Sequence, residues 1–244
     1  MDILITGYKG MIGSRLYSYL KSIDTYKVDG LDIVDNTGDI RTVVASKHYD
    51  IIVHCAGLTS VVESIKHPEE YYDTNVLGTY NLVKQFPNSK FIFLSTSAIY
   101  GEGLLHSELS RLNPQSPYAQ NKIDAEMCIY NHIKEFAILR LSNIYGGKKG
   151  ERNVYQVFEE ESILPIYGDG SSTRDYLHLD DLVKIIRRSF SAKGTFNIGS
   201  GQIKSVLEIA KEFNKPLKFL PAREGEINAI SLNLGKAIAW GLIQ

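Results

Sequence analysis

The chain has 244 residues, 43% of them hydrophobic and 23% charged, with a formal net charge of −1 and the two signs interspersed. A chain of that length and balance buries a sizeable core, which excludes a disordered or low-complexity protein. The even charge distribution excludes the basic footprint of a nucleic-acid or anionic-membrane binder. Cys55 and Cys128 have neither metal-ligand spacing nor a disulfide framework, and the histidines form no cluster, so no metal is expected and both thiols read as reduced and buried. The longest apolar stretches are strand-sized and Met1 leads straight into a strand, so a soluble cytoplasmic protein is expected.

Asp2-Ile3-Leu4-Ile5-Thr6 is an apolar run of buried-strand type, and Gly7-Tyr8-Lys9-Gly10-Met11-Ile12-Gly13 leads from it into a periodic helix over 11–23. Glycines at that point permit a tight turn and let backbone approach a pyrophosphate, which the helix N-terminus then holds through its unsatisfied N–H groups. The spacing is G-x-x-G-x-x-G, and a lone glycine cluster is more often only a turn. Here a second strand over 27–32 follows, ending on Asp32, where an acid accepts the diol of an adenosine ribose. A 2′-phosphate would be repelled there, and residues 33–38 carry no Arg or Lys, so NAD is preferred over NADP. The step from Asp32 to Asp39 reads as a turn rich in Asn36, Thr37 and Gly38. The second strand is therefore expected to form the sheet edge, with a helix over 40–48 after it.

Further strands are predicted over 50–54, 90–95, 136–141 and 195–198, and helices over 68–86, 117–134, 179–190 and 205–214. Strands and helices alternate as in an α/β doubly wound parallel sheet, with right-handed crossovers. Gly146 to Gly150 is the clearest linker, so residues 1–145 are assigned to a nucleotide-binding domain and residues 146–174 and 201–244 to a small substrate-binding cap. The chain is expected to return to the sheet near 175–200, first at Asp175-Tyr176-Leu177-His178.

Tyr118 and Lys122 lie four residues apart in a segment introduced by Pro114 and Pro117, a spacing that puts both side chains on one face of a helix. A phenol titrates near ~10, so a tyrosine acting as a base at neutral pH needs a cation beside it. Such pairs arise by chance on solvated helices; following a nucleotide fingerprint, this one points to an enzyme.

These motifs together resemble the NAD-dependent sugar epimerase/dehydratase family of extended short-chain dehydrogenase/reductases. The likeness runs through Asp39-Ile40-Arg41, His54-Cys55-Ala56-Gly57-Leu58, Asn75-Val76-Leu77-Gly78-Thr79, Ser95-Thr96-Ser97-Ala98-Ile99-Tyr100-Gly101 and Leu139-Arg140-Leu141-Ser142-Asn143-Ile144-Tyr145-Gly146. It continues through Ile166-Tyr167-Gly168-Asp169-Gly170, Thr173-Arg174-Asp175-Tyr176 and Ala222-Arg223-Glu224-Gly225-Glu226. The resemblance implies a Rossmann-type fold binding NAD through Gly7, Gly10, Met11, Ile12, Gly13, Asp32, Asp39, Ile40, Cys55, Ala56, Gly57, Asn75, Ser95, Tyr118, Lys122 and Ile144. It implies Tyr118 as the acid/base, Lys122 as the group that lowers its pKa and holds the nicotinamide ribose, and Thr96 as the hydroxyl that shares the substrate oxygen. A nucleotide-diphosphate sugar, expected to be a UDP-sugar, would lie against Thr96, Asn143, Asn153, Val154, Tyr167, Arg174, Arg223 and Glu226. Taken singly, Thr96 is ordinary strand composition, Arg174 and Arg223 are ordinary solvated side chains, and Tyr100 and Tyr145 read as core aromatics outside the catalytic set.

Within that family, 4,6-dehydratases usually place Asp-Glu directly after the catalytic Thr, where this chain has Ser97-Ala98. The implied activity is therefore 4-epimerisation of the UDP-glucose/UDP-galactose type through a transient 4-keto sugar, in a homodimer. The alternatives are a 4-ketosugar reductase, a dehydratase, or an NAD-binding sensor without turnover. An activated phenol argues against the sensor. Gly147 stands where the family usually has proline, and Thr59 where the nearest epimerases have lysine.

Overall fold

Ile3 to Ile5, Ile51 to Val53 and Phe91 to Phe93 are buried without alternation, and a strand apolar on both sides must be covered on both sides. The computed structural model describes residues 1–147, 153–222 and 227–243. In chain order it places strand β1 (Asp2–Thr6), helix α1 (Met11–Lys21), β2 (Lys27–Leu31), β3 (Ile51–His54), α2 (Val61–Lys66), α3 (Pro68–Tyr72), a π-helical turn (Asp73–Leu77), α4 (Gly78–Gln85) and β4 (Lys90–Thr96). A 3-10 turn (Ser97–Tyr100), β5 (Gly103–His106), α5 (Pro117–His132), β6 (Phe136–Leu141), β7 (Asn143–Tyr145) and α6 (Val154–Glu160) follow. Then come β8 (Leu164–Tyr167), β9 (Thr173–His178), α7 (Leu179–Arg188), β10 (Gly194–Ile198), β11 (Ile203–Ser205), α8 (Val206–Phe213), β12 (Leu217–Leu220), β13 (Ala229–Leu232) and α9 (Gly235–Ala239).

Six strands form one parallel sheet in the order β10-β6-β4-β3-β1-β2. The order in which successive strands are added reverses between β1 and β3, and in such sheets ligands bind beyond the carboxyl ends of the strands at that switch point. One face carries Leu16 and Leu20 of α1 with Leu182, Val183 and Ile186 of α7. The other carries Leu82 and Val83 of α4 with Ala125 and Ile129 of α5. A second sheet, β11-β9-β13-β5 with β7 beside β9, and a two-stranded β12-β8 sheet stand outside this layer. Phe158, Leu164, Ile166, Tyr176 and Ile209 make a separate core there. No helix among the described residues is long and apolar enough to cross a membrane.

The sheet ends at β2, as the short step after Asp32 predicts: residues 33–49 contain no strand. The helix expected over 40–48 is also absent, which corrects that reading. A single turn forms, with the Val43 N–H donating to the Asp39 carbonyl (2.8 Å), and then stops. Thr42, Val43 and Val44 are three β-branched residues in a row, which lose side-chain freedom in a helix. Their backbone finds partners on α4 instead, since Asn81 Nδ2 donates to the Ile40 and Val43 carbonyls and the Ala45 N–H donates to Gln85 Oε1.

The predicted return at 175–178 is corrected too. Those residues lie in β9, which pairs with β7, β11 and β13 rather than with the six-stranded sheet; the strand that rejoins the sheet is β10, beside β6.

Candidate active site at the carboxyl ends of the central strands

The turn after β1 runs through Gly7, at φ +69°, whose N–H donates to the Leu31 carbonyl at 2.8 Å. A Cβ on Gly13 would lie 2.1 Å from the Gly7 carbonyl oxygen, so glycine is what lets α1 start directly against this turn. Gly10 is the N-cap of α1 and supplies no side-chain cap, and the first turn, which holds Met11 and Ile12, contains no acid. Its leading N–H groups therefore remain available, with the helix dipole behind them, to an anionic ligand. Cys55 and Ala56 sit directly opposite, at the end of β3, their N–H groups held by Thr6 at 3.1 and 3.3 Å. This narrow backbone cradle fits a dinucleotide pyrophosphate.

Asp32 is 8% exposed and its two carboxylate oxygens accept from the Lys9 N–H (2.9 Å) and the Val34 N–H (3.0 Å). An ionised carboxylate has about four lone-pair sites, so both oxygens can accept further hydrogen bonds from a diol. Asp39 is gripped by the Arg41 guanidinium, which holds its carboxyl below the usual range, while Ile40 packs on Gly78. Asn75 lies in the π-helical turn and is tied to the backbone of Leu58 through both side-chain atoms (2.8 and 2.9 Å). Such turns frequently mark functional positions in helices.

Thr96 ends β4, where its hydroxyl accepts from the Ala98 N–H (3.2 Å) and starts the 3-10 turn. Tyr118 enters in the first turn of α5, which Ser116 caps and Pro117 opens. Lys122 follows one helical turn later on α5, and its ammonium reaches β4. Burial pushes the Tyr118 phenol up to about 12, and the Thr96 hydroxyl bonded to it draws it back. Burial pulls the Lys122 ammonium down to about 8. That ammonium donates to the Leu94 carbonyl (2.8 Å), lies 4.6 Å from the centre of the Phe93 ring, and approaches Gly57. Beneath the site His54 bridges Thr6 and Thr79 at 2.8 and 2.9 Å, and burial lowers it to about 3, so its ring is neutral.

A polar network behind the site escaped the sequence reading. Glu126, four residues after Lys122, is 2% exposed and forms a two-pronged ion pair with Arg140 on β6 (2.7 and 3.1 Å). Ser95 donates to the same carboxylate at 2.5 Å, so its hydroxyl is turned into this network. Arg140 also donates to the Tyr100 hydroxyl (2.9 Å), which donates to Asn197 Oδ1 (2.7 Å). The available signal was an arginine inside the apolar run 136–141 and an acid in register with Lys122.

The other predicted substrate-side residues that the structure describes are carried outside the six-stranded sheet. Asn143 begins β7, with Ile144 after it, and Tyr167 ends β8. Asn153 caps α6 through Oδ1, just before Val154, while its buried Nδ2 has no partner among the described residues. Arg174 donates to the carbonyls of Thr173, Ile227 and Asn228. Arg223 and Glu226 lie outside the described residues. Among the described residues no three His, Cys, Asp or Glu side chains gather as metal ligands.

Comparison with known proteins agrees with this architecture. The profile of the NAD dependent epimerase/dehydratase family matches residues 3–199. A putative UDP-glucose 4-epimerase of Methanocaldococcus jannaschii is 32% identical over 98% of this chain and 92% of its own. A dTDP-D-glucose 4,6-dehydratase of Dictyostelium discoideum is also 32% identical, over 86% of this chain, which spans 61% of that protein's length. The solved UDP-glucose 4-epimerase of Thermus thermophilus in complex with NAD superposes with a TM-score of 0.88 at 25% identity, over 99% of this chain and 93% of that one. With its parallel sheet, glycine turn and Tyr118–Lys122 pair at the expected places, the chain belongs to the NAD-dependent epimerase/dehydratase family.

Proposed function

We propose that the protein is a cytoplasmic nucleotide-sugar 4-epimerase of the UDP-glucose/UDP-galactose type. The observation that carries this reading is the pairing of Tyr118 with Thr96 in a site where Ser97 and Ala98 follow the threonine and the buried carboxylate of Glu126 is committed to Arg140. One proton-transfer group serves oxidation and re-reduction at a single carbon, whereas elimination of water needs further acid/base groups. Thr96 positions the sugar 4-hydroxyl and Tyr118 takes its proton, returning it to the oxygen once the 4-keto sugar has turned its other face. The glycine turn, Asp32, Asn75 and Lys122 would hold NAD, which would supply the hydride acceptor and donor. Asn143, Asn153, Val154, Tyr167, Arg174, Arg223 and Glu226 are assigned to the nucleotide-diphosphate side, where Arg suits a diphosphate by its bidentate donors.

A homodimer is proposed as well, because Val62, Ile65, Tyr72, Tyr80, Met127 and Tyr130 leave large apolar side chains exposed on α2 to α5. Light scattering of the purified protein checks it, and a monomer at micromolar concentration overturns it. Incubation with UDP-, dTDP- and GDP-sugars and separation of the products tests the activity. Interconversion of UDP-glucose and UDP-galactose is the expected result. A 4-keto-6-deoxy product would identify a dehydratase, and NAD binding without turnover of any sugar would identify a sensor.

A further inference from the structure

Residues 33–38 carry no basic side chain, yet the structure brings a cation to the same place from the glycine turn. The Lys9 N–H sits on Asp32, and the Lys9 ammonium lies 3.4 Å from Asp35 Oδ2. Asp35 is held from three further directions: the Tyr8 hydroxyl donates to it, as do the Thr37 hydroxyl (2.8 Å) and N–H (3.3 Å). Tyr8 is itself fixed, its ring lying so flat on β2 that a Cβ on Gly30 would come within 2.4 Å of it, with Tyr17 at 4.9 Å on its other flank. The short loop after β2 is thus folded onto the glycine turn with an acid at its tip.

We propose that Asp35 is a specificity-determining residue of the dinucleotide site, which excludes NADP by occupying Lys9 and by adding a second carboxylate to that of Asp32. The proposal rests on the reading that Asp32 faces the adenosine ribose. A 2′-phosphate carries up to two negative charges and three acceptor oxygens, and a lysine beside the ribose is the natural partner for it. Asp35 balances that lysine with a charge of its own, so a phosphate arriving there meets no net positive charge. An exposed ion pair holds only weakly, and breaking it would leave the Asp35 carboxylate next to the incoming phosphate. Repulsion from that carboxylate therefore carries more of the discrimination than the pair itself. NAD brings no phosphate to this position and is indifferent to it.

Calorimetric titration of NAD and NADP at low salt, where surface charge is least screened, tests this on the wild type and three variants. Asp35→Asn keeps an oxygen for Tyr8 and Thr37, so the loop retains its anchors. It is expected to raise NADP affinity relative to NAD about tenfold or more, with NAD affinity nearly unchanged. Adding Lys9→Met to Asp35→Asn is expected to reverse the smaller part of that gain, the part a freed Lys9 supplies. Asp32→Asn should instead weaken NAD. An NADP-to-NAD ratio left within about twofold by Asp35→Asn overturns the proposal, as does a gain that removal of Lys9 leaves wholly undiminished. Equal binding of both dinucleotides by the wild type, or full NAD affinity in Asp32→Asn, would overturn the Asp32 reading instead.

Discussion

Lys122→Met is expected to stabilise the protein while removing its activity. Lys122 is 7% exposed, and burial draws its ammonium from 10.5 down to about 8. One pKa unit corresponds to about 1.4 kcal/mol, so keeping that charge inside costs the fold about 3 kcal/mol at neutral pH. A methionine of similar length carries no charge but leaves the Leu94 carbonyl without its donor, a loss of about 1–2 kcal/mol. The net gain should be about 1–2 kcal/mol. Because the folded value lies below the unfolded one, the unfolded chain binds the extra proton between about pH 8 and 10.5, and wild-type stability climbs through that window. The methionine variant has no such slope, so its advantage should shrink by about 2 kcal/mol between pH 7 and pH 9.5. Urea unfolding of both proteins at the two pH values measures this directly, and Tyr118, present in both, cancels. A variant less stable than wild type at pH 7, or a gap that does not change with pH, would refute the argument. NAD retention and turnover should fall in the same variant.

Tyr118→Phe should lower turnover by ~10²–10⁴-fold with fold and NAD binding intact, as steady-state rates and cofactor titration can show; near wild-type rates across the pH range would remove Tyr118 as the base. Glu126→Gln leaves the Arg140 charge buried without its partner, and a loss of about 3–5 kcal/mol in urea unfolding is expected. A change under about 1 kcal/mol would show that the ion pair is compensated elsewhere. With residues 33–38 too short to add an outer strand, the adenine side should be open and NAD should exchange readily. Extensive dialysis should then make activity dependent on added NAD, and full activity without it would count against the exchange.

Legibility in the sequence followed how local each cause was. The parallel strands announced themselves because strands covered on both faces are apolar throughout, as in Ile51-Ile52-Val53. The glycine turn and the Tyr118–Lys122 pair were readable because each is a short-range spacing with one geometric meaning. The helix expected over 40–48 failed because partners for that backbone come from Asn81 and Gln85, side chains some forty residues away. The partners of Arg140 were unreadable for the same reason: Glu126 and Tyr100 lie on a helix and a turn that only the sheet order brings together. Lys9 stands twenty-three residues before Asp32, so its place beside that acid shows only once the glycine turn and the loop after β2 are folded together.

Ending the sheet at β2 also leaves a row of backbone donors and acceptors without a neighbouring strand, and such an edge invites a second sheet to add to it. Charge stands along this one. Lys27 opens the strand in solvent, and Asp29 in its middle draws in Lys47 (2.6 Å) and the Tyr49 hydroxyl (3.0 Å) from the segment that follows. A foreign strand approaching β2 would have to displace that ion pair and desolvate its charges. With β2 as the edge, Lys27, Asp29, Lys47 and Tyr49 are thus responsible for keeping the molecule from edge-to-edge aggregation.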